Sequence, residues 1–158
     1  MNVREALRNR ADLFEKIGHY SLLERIVLKH GKDGAAFKHQ LGKGEVRACF
    51  MNATHLVIAD RHLRYCEGFA MKETLALPLQ HAWVLDGMDN VIDTTWDYEP
   101  GTTYLGIVFS HKQLCDLMRH QKVYGLFDTG IMLNVPLLET IDTAMVSEAK
   151  NFNKRRVA

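Results

Sequence analysis

Residues 48–60 read ACFMNATHLVIAD, and this stretch decides the fold class. Phe50, Ala53 and Val57 recur at i, i+3 and i+7, a spacing that places apolar side chains on one face of a buried helix. Cys49 falls in the first turn of that predicted helix. The sequence then becomes polar, which indicates that the helix ends and a different kind of element follows.

Four short runs rich in β-branched or aromatic residues follow the helix and predict strands. They cover residues 63–70, 81–85, 91–96 and 103–109. The sequence DGMDN at residues 86–90 is a strong turn signal between the two middle runs. Because the connections are short, neighbouring strands are expected to run antiparallel. The predicted class is α+β, with the helix packed on an antiparallel sheet of about four strands.

Helices are predicted on both sides of this core. Residues 3–30 have helical apolar spacing with an interruption at Gly18, which indicates two N-terminal helices. Ser110 can cap a helix that runs to about Gln121, and Pro136 marks the start of the last helix. We expect one domain, 1–158, composed of N-terminal helices and a glycine-containing loop (1–45), the core (46–110), C-terminal helices (111–150) and a frayed tail (151–158).

Length, composition and charge limit the functional classes. A chain of 158 residues that is 47% hydrophobic and 25% charged is typical of an ordinary globular domain. The formal net charge of +1 provides no global field for nucleic acid, so nucleic-acid binding is not expected. No apolar run approaches the roughly 18 residues of a membrane span, and the N-terminal sequence MNVREALRNR lacks the layout of a signal peptide. These features favour a cytoplasmic protein without a membrane partner.

The three cysteines, Cys49, Cys66 and Cys115, cannot all pair within one chain, and a reducing compartment would keep them as thiols. No two of them are spaced as CxxC, and no HExxH pattern accompanies them. We therefore expect no structural metal and no cofactor. Cys66 lies inside a predicted strand, where a thiol is a small apolar core residue. Cys49, at a predicted helix start, is the candidate nucleophile.

A cysteine attacks only as the thiolate, and an ordinary thiol with a pKa of about 8.5 is little ionised at neutral pH. Two features of the sequence can help Cys49. The helix N-terminus carries partial positive charge and free amides, and the Cys49 amide is the natural first donor to an oxyanion. His81 opens a predicted strand and can act as ion-pair partner and general base. Asp93, on the predicted hairpin partner, can orient the His81 imidazole.

Strand parity allows two registers for this hairpin. If His81 lies opposite Asp93, Leu85 pairs with Asp89 and the loop has three residues. A slip of two residues instead places Trp83 opposite Asp93, and the carboxylate stays on the His81 face as a diagonal neighbour. Both registers allow an imidazole-carboxylate contact.

The order of these residues resembles the transglutaminase-like core, a papain-related group of cysteine enzymes. Cys49 is followed after 32 residues (81 minus 49) by HAW and after 12 more (93 minus 81) by the DTT of residues 93–95. The segments CFMNA and YCEGFA also resemble small phage and bacterial proteins. The family resemblance implies that Cys49 is the nucleophile, His81 the base and Asp93 the orienting acid. It also implies acyl chemistry through a cysteinyl thioester, as a peptidase, deamidase or transamidase acting on a protein, peptide or small amide.

The chain departs from the family pattern around its nucleophile. Thr94 follows the acid where the family often has proline, and Arg47-Ala48 stands where glycine is usual. These departures motivate an alternative hypothesis, a non-enzymatic binding or adaptor protein, of the kind that phages use on host partners, that retains the fold.

Further residues are candidates around the site. Trp83, Glu67 and Gln40 are predicted to line the substrate cleft, with Gln40 and Gln80 considered as side-chain oxyanion donors. A weaker hypothesis is that the acids and the histidine of this region bind a metal ion. The proposed ligands are Glu67, His81, Asp86 and Asp93.

Overall fold

The computed structural model describes residues 1–38, 43–121, 123–128 and 132–157, without the side chains of residues 156 and 157. This part of the chain forms six helices and five strands. In chain order they are α1 (Val3–Lys16), α2 (Leu22–His30), β1 (Lys32–Ala35), α3 (Cys49–Ala59), β2 (Arg64–Met71), β3 (Leu79–Leu85), β4 (Val91–Ile92), β5 (Thr103–Phe109), α4 (His111–Met118), α5 (Val135–Ile141) and α6 (Thr143–Val157). The predicted α+β class is confirmed.

The strands form one antiparallel sheet in the order β1-β5-β2-β3-β4. The central strand β2 pairs with β3 on one side and β5 on the other, so that Gly68 lies opposite both His81 and Gly106. A side chain at Gly68 would come within 2.3 Å of the Leu105 carbonyl oxygen. Glycine is therefore required where the three central strands approach most closely.

Each face of the sheet has its own apolar core. The larger core lies between the sheet and the helices and includes Tyr65, Phe69 and Val84, together with Ala53 and Val57 of α3. The smaller core lies on the opposite face and contains Cys66, Ala70, Trp83, Leu85, Val91 and Tyr104. Because side chains alternate along a strand, His81 and Trp83 share the face of the smaller core.

The sheet has five strands where about four were predicted, because β1 lies in the segment expected to be a loop. Its residues Lys32 to Ala35 pair with Gly106 to Thr103 of β5. A side chain at Gly34 would come within 2.7 Å of Val91 Cγ2, so this strand needs glycine for close approach. Lysine, aspartate and glycine have low strand propensity, and pairing with a distant strand overrides it.

The hairpin between β3 and β4 adopts the slipped register. Val84 pairs with Ile92 and Leu85 with Val91, which excludes the register with His81 directly opposite Asp93. The loop is longer than three residues because the Asp86 carboxylate accepts hydrogen bonds from the backbone of Met88 (2.8 Å) and Asn90 (2.9 Å).

The C-terminal region has three helices. Ser110 caps α4 through a reciprocal capping box with Gln113, although α4 ends at Met118, before the predicted Gln121. Pro136 lies in the first turn of α5, but a further helix, α6, follows it. The predicted frayed tail at 151–158 is wrong for the described residues, since α6 continues to Val157.

One tertiary contact stabilises the C-terminal half of α6: the Phe152 ring packs against Tyr20, with 5.4 Å between ring centroids. Within the described ranges, none of the helices combines the length and apolar character needed to cross a membrane.

Candidate active site

The structure brings Cys49, His81 and Asp93 together. His81 Nε2 lies 2.7 Å from Asp93 Oδ2, and the Cys49 thiol interacts with the same imidazole. The three residues are 9%, 2% and 7% exposed, respectively. Because Asp93 occupies Nε2, Nδ1 is the ring nitrogen left to exchange a proton with Cys49. The arrangement is that of a thiol, a base and an orienting acid.

The charges of the neighbours decide the protonation of His81. Burial alone would lower the pKa of His81, but the hydrogen bond to Asp93, the interaction with the Cys49 thiol and the Asp93 charge raise it to about 9. The imidazolium form is therefore favoured at neutral pH. A positive charge beside a thiol favours the thiolate, which is the nucleophilic form of cysteine.

Asp93 is held by donors on both of its oxygens. Oδ1 accepts from the backbone amides of Thr95 (2.9 Å) and Trp96 (3.1 Å), and Oδ2 accepts from the Tyr104 hydroxyl (3.0 Å) as well as from His81. Burial alone would raise the pKa of Asp93, but the His81 contact and these amides bring it below its usual value. Asp93 is therefore a fixed anion that stabilises the charged imidazole.

Aromatic rings enclose the imidazole. The Trp96 ring stacks on His81 with 4.2 Å between centroids and 24° between planes. The Trp83 and Tyr104 rings lie 6.4 Å and 6.3 Å from it. These rings exclude water from the His81–Asp93 hydrogen bond, and the lower local dielectric strengthens it.

Cys49 is the first residue of α3, as predicted. The preceding Ala48 makes no side-chain capping hydrogen bond within the described part of the chain. The first-turn amides, at residues 49–51, have no intrahelical acceptor and can donate to an oxyanion formed beside the thiol. Arg47 enters the helix with φ of 64°, a left-handed conformation that costs a non-glycine residue about 1 kcal/mol or more. The backbone before the thiol is thus held in a strained entry turn.

An open cleft of about 360 Å³ lies along α3, and Cys49, His81 and Asp93 are not among the residues that line it. Its wall includes Thr94, which follows Asp93, and Asn52, which lies one helical turn after Cys49. The other residues that line it are Lys43, Gly44, His55, Leu56 and Ala59.

Two of the predicted cleft residues lie in the core instead. Trp83 is only 2% exposed and fills the space above Gly106, where a side chain would meet its Cη2 atom at 2.6 Å. Glu67 is 3% exposed and, by strand alternation, lies on the face of the sheet opposite His81. Neither side chain is among those that line the open cleft along α3. Gln40 lies outside the described residues, and Gln80 is exposed on β3.

Glu67 has a structural role. Its carboxylate accepts hydrogen bonds from the Tyr65 hydroxyl (2.6 Å) and from the amides of Leu126 (2.7 Å) and Phe127 (2.9 Å). Asn134 binds the same dipeptide from the other side, through the Leu126 carbonyl (2.9 Å). Burial raises the pKa of Glu67. The carboxylate fixes the segment that precedes α5 against the sheet.

The structure also shows where Cys66 and the four proposed metal ligands lie. Cys66 is 1% exposed in β2, as predicted for a core thiol, and burial raises its pKa. Asp86 belongs to the hairpin turn, and Glu67 is separated from His81 by the sheet, so the four proposed metal ligands do not converge. Among the described residues, no group of three or more histidine, cysteine or acidic side chains could hold a metal ion.

Two residues around the site, Asn52 and Tyr104, are not singled out by the sequence. Asn52 has a usable signal, since it is a polar residue three positions after Cys49 in a predominantly apolar helix. Trp96 and Tyr104 reach His81 and Asp93 only through the loop after β4 and the return along β5. Their proximity depends on tertiary structure.

Comparisons with protein-family models, with curated proteins and with solved structures found no match to this chain.

Proposed function

We propose that this protein is a thiol enzyme that hydrolyses or transfers acyl groups of amides through a thioester on Cys49, on a transglutaminase-like, papain-related core. The observation that carries the proposal is the position of His81 between the Cys49 thiol and the Asp93 carboxylate, with the carboxylate 2.7 Å away. A structural histidine needs only one such partner. A base that activates a thiol needs both.

The proposed reaction has two halves. The Cys49 thiolate attacks the substrate carbonyl carbon, a carbon-sulfur bond forms, and the first-turn amides of α3 stabilise the oxyanion. The His81 imidazolium then gives its proton to the leaving nitrogen as the carbon-nitrogen bond breaks, which leaves a thioester and a neutral imidazole.

In the second half His81 takes a proton from water or from an acceptor amine as that nucleophile attacks the thioester. The carbon-sulfur bond breaks, the product leaves as an acid or a new amide, and the Cys49 thiolate returns with protonated His81. Asp93 stays ionised throughout and holds the ring in place. Proteins, peptides and small amides are the substrate classes that this chemistry accepts.

Acylation by p-nitrophenyl acetate tests the proposal. Intact mass and peptide mapping should place one acetyl group on Cys49, and hydroxylamine should remove it as expected of a thioester. Cys49→Ser should lose this rapid acylation, whereas Cys115→Ser should keep it, because Cys115 is not part of the site. The proposal is contradicted if acetyl is distributed over surface nucleophiles with no preference for Cys49.

The alternative proposal is a binding or adaptor protein that retains the site geometry. The small exposure of Cys49, 9%, favours it, because a catalytic thiol must meet its substrate. A pure binder would keep its partner in Cys49→Ala and would show no thioester in the acylation experiment.

A further inference from the structure

Asn52 connects three segments of the candidate site. It lies three residues after Cys49 on the same face of α3 and is 8% exposed. Its side-chain oxygen accepts from the Glu45 amide (3.0 Å), and its nitrogen donates to the Glu45 carbonyl (2.8 Å) and to Thr95 Oγ1 (2.8 Å). One side chain thus joins the nucleophile helix, the chain that enters it and the loop that carries Asp93.

The entering chain is also bound to the Asp93 loop directly. The Gly44 amide donates to the Thr94 carbonyl (2.8 Å). A side chain at Gly44 would lie within 2.4 to 2.6 Å of the Asn52 amide atoms, so only glycine lets the backbone pass this close. Residues 44–45 are therefore held between α3 and the loop.

The polar contacts of Asn52 lead through Thr95, Asp93 and His81 back to Cys49. Asn52 donates to the Thr95 hydroxyl, and the Thr95 amide donates to Asp93 Oδ1 at 2.9 Å. Asp93 binds His81, His81 interacts with the Cys49 thiol, and Cys49 is joined to Asn52 by one turn of helix. This chain of contacts begins and ends on α3. The Asn52–Thr95 hydrogen bond and the Cys49–His81 contact therefore both join α3 to the part of the fold that carries His81 and Asp93.

The two kinds of Asn52 contact have different consequences. The bonds to Glu45 satisfy the backbone of a neighbouring turn, which any buried asparagine at this place could do. The bond to Thr95 crosses 43 residues of sequence and joins α3 to the loop that carries Asp93, the partner of His81. A displacement of about 1 Å between reacting groups can cost roughly 100-fold in rate, so a bond that fixes the separation of α3 from this loop affects chemistry directly.

We propose that Asn52 is a positioning residue whose bond to Thr95 sets the separation of the Cys49 helix from the Asp93 loop and keeps the thiol in contact with His81. The inference rests on the proposed function, because it assigns a role in activating the Cys49 thiol.

Substitutions at Thr95 isolate this bond and leave the Asn52–Glu45 pair in place. Thr95→Val removes the acceptor hydroxyl with little change in shape, and Thr95→Ser keeps the hydroxyl as the matched control. The readout is the rate of Cys49 alkylation by iodoacetamide as a function of pH, followed by peptide mass spectrometry. Circular dichroism and a melting curve verify that each variant is folded.

We expect Thr95→Val to lower Cys49 alkylation below neutral pH by roughly tenfold, while Thr95→Ser stays close to wild type. Asn52→Ala should cause a similar loss, and combining it with Thr95→Val should add little, because both remove the same bond. A purely structural role would lower the melting temperature without moving the pH profile.

Two results would overturn the inference, and they can be told apart. If wild type has an acid-shifted profile and folded Thr95→Val retains it, Asn52 is structural and the proposed function stands. If wild-type Cys49 reacts no faster than a free thiol at any pH, the proposed function fails and the positioning role fails with it.

Discussion

The Tyr104 hydroxyl donates a hydrogen bond of 3.0 Å to Asp93 Oδ2, the same carboxylate oxygen that binds His81. Tyr104 comes from β5, two strands away from β3 in the sheet order. The acid of the candidate site is therefore anchored from the middle of the sheet, independently of the hairpin that delivers it.

Substitutions at Tyr104 and Asp93 should distinguish the anchoring of the Asp93 carboxylate by Tyr104 from the effect of the Asp93 charge on His81. Tyr104→Phe removes one hydrogen bond but leaves the carboxylate ionised, so we expect a loss of about 1 kcal/mol in unfolding free energy and retained Cys49 alkylation below neutral pH. Asp93→Asn removes the charge that favours imidazolium and should lose most of that low-pH reactivity. Urea unfolding and alkylation kinetics measure the two effects. Equal loss of reactivity in both variants would contradict this division of roles.

The His81 interactions predict a pH dependence of stability. The pKa of His81 is about 9 in the folded protein and near 6.5 when unfolded, so its contribution is complete below about pH 6.5 and is lost as pH rises through about 9. This rise in the pKa of His81 corresponds to roughly 3 kcal/mol of stability, at 1.36 kcal/mol for each pKa unit.

The Cys49 thiol is one of the groups that raise the pKa of His81, so Cys49→Ala is the background in which the His81–Asp93 pair can be measured alone. Its unfolding free energy in urea should fall between about pH 6 and pH 10, by less than in wild type because the Cys49 interaction that helps to raise the pKa of His81 is missing. Adding His81→Gln should flatten this dependence. An equally steep fall in the double variant would show that other groups cause it.

The buried carboxylate of Glu67 should be important for stability. In the wild-type protein both Glu67 carboxylate oxygens accept hydrogen bonds. Glu67→Gln replaces one of these oxygens with an NH2 group, which would face a donor, and we expect a loss of about 2 to 4 kcal/mol in unfolding free energy. Tyr65→Phe removes only one of the three donors and should cost about 1 kcal/mol. Chemical denaturation ranks the variants. A Glu67→Gln protein as stable as wild type would contradict the proposed anchoring.

The glycines of the central strands should not tolerate a side chain. In Gly68→Ala the new methyl group would lie 2.3 Å from the Leu105 carbonyl oxygen and opposite His81, so the strands must separate, and we expect a loss of about 2 kcal/mol or more. Gly87→Ala is the matched control because nothing lies within 4 Å of its added methyl group. Thermal unfolding of the two variants tests this, and similar melting temperatures would contradict the close approach.

Local sequence patterns predicted the core elements but not every boundary. Periodicity identifies α3, β2, β3 and β5, because each has a buried face that its own residues specify. The predicted strand at 91–96 ends at Ile92 because the Asp93 carboxylate binds the next backbone amides and competes with the ladder. β1 escapes prediction because only its pairing with β5 makes it a strand.

The candidate site, too, is only partly predictable from local sequence. The three predicted catalytic residues lie together in the structure. The helix start at Cys49 and the shared strand face of His81 and Asp93 can be inferred from nearby sequence, whereas the choice between the two hairpin registers cannot. Trp83 and Glu67 are buried in the sheet, although residue type suggests a place in the cleft, because residue type does not show how deep in the sheet a side chain lies. The anchoring contacts of Asn52 and Tyr104 depend on segments that meet only in the folded chain.

The most direct test of the central claim, a His81-activated Cys49 thiol, is the pH profile of Cys49 alkylation by iodoacetamide in wild type and in His81→Gln. Cys115, which is half-buried and outside the site, serves as the internal reference in the same peptide digest. We expect wild-type Cys49 to react well below the ordinary thiol pKa of about 8.5, and His81→Gln to remove this advantage. Identical Cys49 profiles in the two proteins, both following a free thiol, would contradict it.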